Sequence, residues 1–217
     1  GIRDVAPSRG LGDVYKIQEG MRLMNLRGYH GTCSFAKESI AQHGLDPAYT
    51  QYRPDHWLGQ GVYFFLSQDQ AYWWASSVSG HNRGSTPLIY KVQIIAPDEK
   101  VLNLDDNEQV ALFFSRVVDA YLQAPSEEEQ PIFTDETLRA VFFDYYKEKY
   151  GIDVIIETFQ KDCVRYAGDL QYGEHLALQK DLAKRLGVYF KETQVCVSDK
   201  SCIKEMMIVY DGEDEVI

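Results

Sequence analysis

Apolar and polar residues alternate with a period of two in several short stretches of the chain. In the segment 87–96, for example, Leu88, Val92 and Ile94 alternate with more polar neighbours. Successive strand side chains point to opposite faces of a sheet, so this period predicts a half-buried strand. By this pattern, or by a short apolar run bounded by glycine, we expect strands at 87–96, 100–104, 151–157, 192–197 and 206–210. We also expect a strand within 23–32 that runs into a tight glycine turn, and a glycine-rich approach to a further strand within 58–65.

Other segments follow the helical period of 3.6 residues. In 107–122 the apolar residues Val110, Phe113 and Val117 lie on one helical face, and the pattern returns after Thr134. Further helices are expected at 35–43, 70–77 and 176–186. These elements predict an α+β fold in which a mixed sheet carries peripheral helices. The helices within 105–150 form an insert, with an acidic loop at 126–130 between them.

Composition narrows the class of protein. The 217 residues suit one domain, 1–217, and 22 Lys and Arg against 33 Asp and Glu give a net charge of −11. Such a surface repels nucleic-acid backbones and anionic lipid. The four cysteines form no CxxC pair, so we expect no metal site. We find no signal peptide and no long apolar run, so the sequence predicts a cytoplasmic protein with no membrane partner.

Two short motifs carry candidate chemistry. The first is Tyr29-His30-Gly31-Thr32, at the end of a predicted strand, and the second is Gly59-Gln60-Gly61-Val62-Tyr63-Phe64. Taken singly, each has an ordinary structural explanation, because a lone histidine is usually a satisfied structural group and a strand tyrosine usually packs in the core. Their combination, about thirty residues apart and joined by a helix ending in Gly44-Leu45, is more specific.

Together the motifs resemble the poly(ADP-ribose) polymerase and diphtheria-toxin-like branch of the ADP-ribosyltransferases. That family has a His-Gly-Thr or His-Gly-Ser strand, a helix ending in Gly-Leu, a Gly-x-Gly-[Ile/Val]-Tyr-Phe strand and a short helix that begins near Ser67 in this chain. A looser match continues at 151–155 and 194–203. The resemblance covers about half of the chain and implies an ADP-ribosyltransferase-like fold, with the insert 105–150 outside the match.

The resemblance implies that the chain binds NAD+ as a substrate and needs no metal. His30 would bond a ribose hydroxyl of the adenosine half, with Thr32 nearby, and the backbone of Gly31 would contact the carboxamide. The nicotinamide ring is a flat cation, which aromatic faces hold by stacking and cation–π attraction. Tyr63 would supply one such face. The other cofactor-binding candidates are on the following helix: Ser67, Tyr72 and Trp73, with Tyr72 or Trp73 expected opposite Tyr63.

A third motif, the looser match at 194–203, departs from the family at its first residue. Departure of nicotinamide leaves an oxocarbenium ion on the ribose, which a nearby carboxylate stabilises. Gln194 stands at the position of the family's catalytic Glu, and an amide can bond a hydroxyl but brings no charge. Glu192, two residues earlier on the same predicted strand face, would then supply the only nearby negative charge. A solvated glutamate at a strand start is an equally good interpretation of Glu192.

Three functions remain open from the sequence. The first is a mono-ADP-ribosyltransferase that moves ADP-ribose from NAD+ to a macromolecular acceptor, because long polymer formation in the family goes with the missing Glu. The second is an NAD+ glycohydrolase, and the third a non-catalytic module that binds NAD+ or ADP-ribose. By analogy with stand-alone domains of this size, we expect a bacterial or phage toxin or effector, with an antitoxin or immunity protein as partner.

Overall fold

The described part of the chain comprises residues 15–18, 21–53, 56–122, 136–161 and 176–213 of a computed structural model. Its strands are β1 Tyr15–Gln18, β2 Met21–Cys33, β3 Val62–Phe65, β4 Pro87–Pro97, β5 Val101–Asn103, β6 Val154–Lys161, β7 Phe190–Val197 and β8 Ile203–Asp211. Its helices are α1 Lys37–His43, α2 Gln68–His81, α3 Asn107–Leu122, α4 Glu136–Tyr150 and α5 Leu176–Leu186. The protein is therefore α+β, as the sequence predicts.

The described strands form one sheet in the order β5-β6-β7-β3-β2-β4-β8, with β1 paired to β2. The β5–β6 pair is parallel and the other pairs are antiparallel, so the sheet is mixed. Strands that carry the three sequence motifs, β2, β3 and β7, are consecutive neighbours in this order although β7 lies more than a hundred residues further along the chain.

Most of the period-two segments and the helical segments are confirmed as strands and helices at nearly the expected positions. The tight glycine turn expected at the end of 23–32 is wrong, because β2 continues unbroken to Cys33. The strand expected within 58–65 begins at Val62. The strand β1 was not predicted, because a four-residue segment carries too little pattern. The strand β8 begins at Ile203, three residues before the predicted start. The acidic loop expected at 126–130 lies outside the described residues.

Alternating side chains divide the core between the two faces of the sheet. Val62 and Phe64 of β3 belong to a cluster on one face, which includes Ile40 of α1 and the nearby Leu45. Tyr63 and Phe65 belong to the opposite face, where α2, α3 and α4 pack. The helices at 105–150 contribute Phe113, Phe143 and Tyr146 to that second core, so they are an integral part of the packing.

None of the helices in the described ranges has the length and apolar character that crossing a membrane requires.

Candidate functional site

The strands β2 and β3 are paired at one position and then separate. Across their described residues, the backbone register between them consists of one pair, Tyr29 with Phe65, whereas β2 and β4 are paired from Leu23 to Cys33. Residues directly opposite each other in an antiparallel pair share a face. Tyr63 therefore lies on the same face as Tyr29, and His30 lies on the other face, against the ring of Phe64 at 5.9 Å between centroids.

A side chain bridges the two strands beyond this point. His30 Nδ1 lies 2.9 Å from the backbone oxygen of Tyr63. A carbonyl oxygen can only accept, so Nδ1 carries the proton and Nε2 is left as an acceptor when the ring is neutral. Burial lowers the pKa of His30 despite the opposing effect of this backbone hydrogen bond. The ring is therefore neutral at physiological pH and presents an acceptor.

A pocket of about 180 Å³ opens beside His30 on this face of the sheet. His30, Thr32 and Val62 contribute to it from the separating strands, and the segment from Ala36 to Thr50 closes its other side. The pocket therefore brings His30 and Thr32 together, as the sequence predicts for two residues on one strand face. Its polar lining also includes Ser39, Asp46 and Thr50, which sequence reasoning did not select.

The close packing of α2 on β2 requires glycine at position 31. A Cβ at this position would lie 2.1 Å from the backbone oxygen of Ala71 and 3.2 Å from the backbone nitrogen of Ala75. Real Cβ contacts are never this short, so only glycine lets α2 lie directly on β2. The sequence interpretation gave Gly31 a ligand contact through its backbone; the structure adds a requirement set by the helix behind it.

The hydroxyl of Tyr63 is hydrogen-bonded to the loop that precedes β3. Its hydroxyl donates to the backbone oxygen of Gly59 at 2.7 Å and accepts from the backbone nitrogen of Leu58 at 2.9 Å. Burial raises the pKa of Tyr63 above its ordinary value, so the phenol stays protonated. The ring packs against the second core cluster and against His56, at 4.7 Å between centroids. These contacts show that the Tyr63 side chain also holds the loop that precedes β3.

The loop before Tyr63 is held by helix α4. The backbone nitrogen of Gln60 donates to Asp144 Oδ1 at 2.6 Å, and Lys147 Nζ donates to the backbone oxygen of Gln60 at 2.5 Å. Lys147 and Asp144 are themselves ion-paired at 2.9 Å, with the lysine side chain 6% exposed. A Cβ at Gly59 would lie 2.4 Å from Asp144 Oδ1. The helical insert thus has a defined role: it fixes the glycine turn that positions Tyr63.

A second contact joins this loop to the segment before it. The Gln60 side chain accepts from the backbone nitrogen of Arg53 at 3.1 Å and donates to the backbone oxygen of the same residue at 2.7 Å. The guanidinium of Arg53 lies 5.7 Å from the ring centre of Trp74. These contacts bring Arg53 and Trp74 beside the Tyr63 face of the sheet, and neither residue was selected from the sequence.

The structure does not bring Tyr72 opposite Tyr63. The Tyr72 ring contacts Tyr210 of β8, at 5.0 Å between centroids, and β8 is separated from β3 by two strands of the sheet. Trp73 is tilted against Trp74 at 6.3 Å. Trp74 is the member of this aromatic run that packs on the cluster containing Phe65. The three aromatic side chains point in different directions because consecutive residues leave a helix 100° apart.

Ser67 lies immediately before α2, as expected.

Gln194 and Glu192 share one face of β7, as the strand period predicts. Gln194 Nε2 donates to Glu192 Oε1 at 2.8 Å, and Lys161 Nζ lies 3.4 Å from the same oxygen. The Glu192 side chain is 5% exposed, so it is not a solvated glutamate at a strand start. Donation by the amide nitrogen turns the Gln194 oxygen away from Glu192, where it can accept a hydroxyl.

Glu192 does not supply the only negative charge near Gln194, contrary to expectation. Glu157 of β6 is the direct register partner of Gln194, and residues so paired place their Cβ atoms about 5 Å apart on one face. The Glu157 side chain is 22% exposed and ion-paired with Arg139 of α4. Burial raises the pKa of its carboxyl. Glu157 ends the apolar run 154–156, but only the pairing of β6 with β7 brings it to Gln194.

One group in the described part of the chain has the donor atoms of a metal site. Ligand-type atoms of Asp153, Asp199 and Cys202 all lie within 4.8 Å of one another. Asp153 is ion-paired with Lys100 at 2.7 Å, and Asp199 accepts from the backbone nitrogen of Ser201 at 2.7 Å. Both carboxylates therefore already have protein partners.

Comparison of the chain with protein-family models, with curated proteins and with solved structures gives no match.

Proposed function

We propose that the protein binds NAD+, breaks the bond between nicotinamide and ribose, and transfers ADP-ribose to a macromolecular acceptor. The observation that carries the proposal is the adjacency of β7, β3 and β2 in the sheet. This order gathers the His30, Tyr63 and Gln194 motifs, which the resemblance to the ADP-ribosyltransferases singles out, from distant parts of the chain. Beyond the single register pair of Tyr29 with Phe65, β2 and β3 are joined through the His30 side chain.

In this proposal the adenosine half of NAD+ occupies the pocket beside His30. The neutral ring offers Nε2 as an acceptor for a ribose hydroxyl, since Nδ1 is already donating to Tyr63. Hydroxyl and carboxylate groups from Thr32, Ser39 and Asp46 line the same pocket and suit a sugar with several hydroxyls. The nicotinamide half then lies on the opposite, Tyr63 face of the sheet, where Trp74 and Arg53 stand beside the loop, so NAD+ has to pass between β2 and β3 beyond their one register pair.

Gln194 would orient the nicotinamide ribose through its amide oxygen. Fixing a side chain before the substrate arrives lowers the cost of reaching the transition state, and the bond to Glu192 does this for Gln194. NAD+ glycohydrolysis is the same bond cleavage with water as acceptor. The binding-module alternative is favoured by one observation: Glu192 is buried and paired with Lys161, so its charge is compensated.

The test uses NAD+ carrying a radioactive adenylate phosphate, incubated with the purified protein and a cell lysate. Nicotinamide release with label retained on macromolecules supports transfer, and separate protease and nuclease digestion identifies the acceptor class. Release with free ADP-ribose supports glycohydrolysis. Calorimetric binding without release supports the module. A folded sample that shows neither heat nor a thermal shift with millimolar NAD+ contradicts all three.

A further inference from the structure

The site contains one carboxylate whose surroundings suit proton transfer. Glu157 and Glu192 both lie on the face of Gln194, but their environments differ. Glu192 is 5% exposed and is bonded by Gln194 and by Lys161. Glu157 is about four times as exposed, at 22% against 5%. Of the two, only Glu157 retains a surface that a ligand could approach.

The position of Glu157 is fixed by a residue of the helical insert. Arg139 of α4 forms an ion pair with Glu157 Oε2 and donates through Nε to the backbone oxygen of Trp57 at 2.7 Å. Its guanidinium also lies 5.4 Å from the Phe143 ring and 5.7 Å from the Phe159 ring. A planar guanidinium held at this many points gives the carboxylate a defined orientation.

Burial acts on Glu157 in the direction that a general base requires. It raises the pKa of the carboxyl, while Arg139 opposes part of that effect. A base is most effective when its pKa approaches the working pH, so a raised carboxyl is a better proton acceptor than an ordinary surface glutamate. Perturbed carboxyls of this kind concentrate at functional sites.

We propose that Glu157 is the catalytic carboxylate of this site, taking over from the neighbouring strand the role that Gln194 cannot perform. This inference rests on the proposed function. The bond between ribose C1′ and the nicotinamide nitrogen breaks, and its electron pair leaves with neutral nicotinamide. The Glu157 carboxylate faces the positive charge that develops on the ribose. The acceptor oxygen or nitrogen bonds to C1′ and gives its proton to Glu157. Gln194 orients the ribose, and Glu192 and Arg139 are positioning residues.

The experiment measures nicotinamide release from NAD+ in buffer, with water as the acceptor, together with NAD+ affinity by calorimetry. Glu157→Gln keeps the shape and an acceptor for Arg139 but removes the charge and the base. We expect kcat to fall at least thirtyfold, while KM and Kd change less than threefold, because the lost charge acts mainly in the transition state. The acid limb of the wild-type pH profile should also disappear. Glu148→Gln, an exposed change on α4, is the matched control and should leave kcat unchanged.

Glu157→Asp separates chemistry from folding. It keeps the base but withdraws it by one methylene, so kcat should lie between those of the wild type and Glu157→Gln, with melting temperatures of all three variants alike. A Glu157→Gln variant with kcat within threefold of the wild type overturns the catalytic role of Glu157 and leaves the proposed function intact. A folded wild type that neither binds nor cleaves NAD+ overturns both. Equal losses of kcat and thermal stability in Glu157→Gln and Glu157→Asp also contradict the inference, because they indicate a structural ion pair.

Discussion

The Nδ1 atom of His30 lies 2.9 Å from the backbone oxygen of Tyr63, so one ring ties together two strands at the point where they separate. This single contact links the two motifs that the sequence singles out. It also determines which nitrogen of the ring is available to a ligand, because the carbonyl can only accept.

His30→Asn tests the two functions of this ring separately. An asparagine amide can still donate to the Tyr63 oxygen from the Nδ1 position, but it has no group at the position of Nε2. We expect NAD+ affinity to fall about tenfold, or about 1.4 kcal/mol, with little change in melting temperature. His30→Ala should lose the affinity and also about 1 kcal/mol of stability, since the strand-bridging bond is gone. Calorimetry and thermal denaturation measure the two effects. An Asn variant that binds NAD+ normally would remove Nε2 from the site.

Protonation of His30 should weaken both stability and binding. Its folded pKa is lowered from 6.5 by burial, so the neutral ring's contribution to stability is fully present above pH 6.5. That contribution is lost as the pH falls from 6.5 through the folded pKa, because the unfolded chain takes up a proton first. Denaturant unfolding of the wild type and of His30→Asn between pH 5 and pH 8 measures the difference. Parallel curves for the two proteins would contradict this assignment.

Tyr63→Phe should destabilise the loop that ends in β3. The change keeps the ring and removes the hydroxyl that joins Gly59 and Leu58. Two hydrogen bonds are lost and buried backbone groups lose a partner, at a cost of about 1–3 kcal/mol. A chain of this size should then melt about 2–12 °C lower. Tyr63→Ala should add a cavity and reduce NAD+ turnover at least tenfold. If the Phe variant melts with the wild type, the two hydroxyl bonds carry no stability.

Gly31 of β2 packs against α2, whereas Gly80 lies within α2. Alanine substitutions at the two positions therefore form a matched pair. An alanine at 31 places its Cβ 2.1 Å from the Ala71 oxygen, so α2 has to move and the protein should lose several kcal/mol. An alanine at Gly80 meets nothing within 4 Å and should stabilise α2 by about 0.5–1 kcal/mol. Chemical denaturation of both variants gives the comparison. A Gly31→Ala variant as stable as the wild type would contradict the close packing of α2 on β2.

Gln194→Glu should produce a pH-dependent loss of stability. The change replaces the donor that faces Glu192 Oε1 at 2.8 Å with a second carboxylate. Two carboxylates this close repel each other when both are charged, so the penalty is largest at neutral pH and shrinks as acid removes the charge. Unfolding measured between pH 4.5 and pH 8 should show this dependence.

The double variant Glu192→Gln/Gln194→Glu exchanges the two groups and keeps one donor and one carboxylate. It should be more stable than Gln194→Glu alone, and it places a carboxylate at position 194, where the ADP-ribosyltransferases that the motifs resemble have one. Faster nicotinamide release than in the wild type would support the strand alignment. A wild type with no release, beside a double variant that releases nicotinamide, would indicate a natural binding module.

Local patterns were enough to predict most elements of the fold. The period-two segment around Leu88 and the 3.6-residue period around Phe113 each express a requirement of one strand or one helix, which short stretches of sequence carry. The two motifs around His30 and Tyr63 were recognisable for the same reason, since glycines beside a strand reflect local backbone needs. The sharing of one face by Glu192 and Gln194 follows directly from the alternation of strand side chains.

The pairing between distant segments was decided only by the tertiary structure. Glu157 meets Gln194 because β6 and β7 are neighbours in register, and no periodicity in either strand specifies its partner. Trp74 rather than Tyr72 faces Phe65 because the rotation of α2 depends on how it lies against Gly31. Asp144 and Lys147 reach the glycine turn from a helix more than eighty residues away. The sequence determined which residues of β2, β3 and β7 are candidates for the site. Packing decided which side chains stand beside them, because those contacts are long-range.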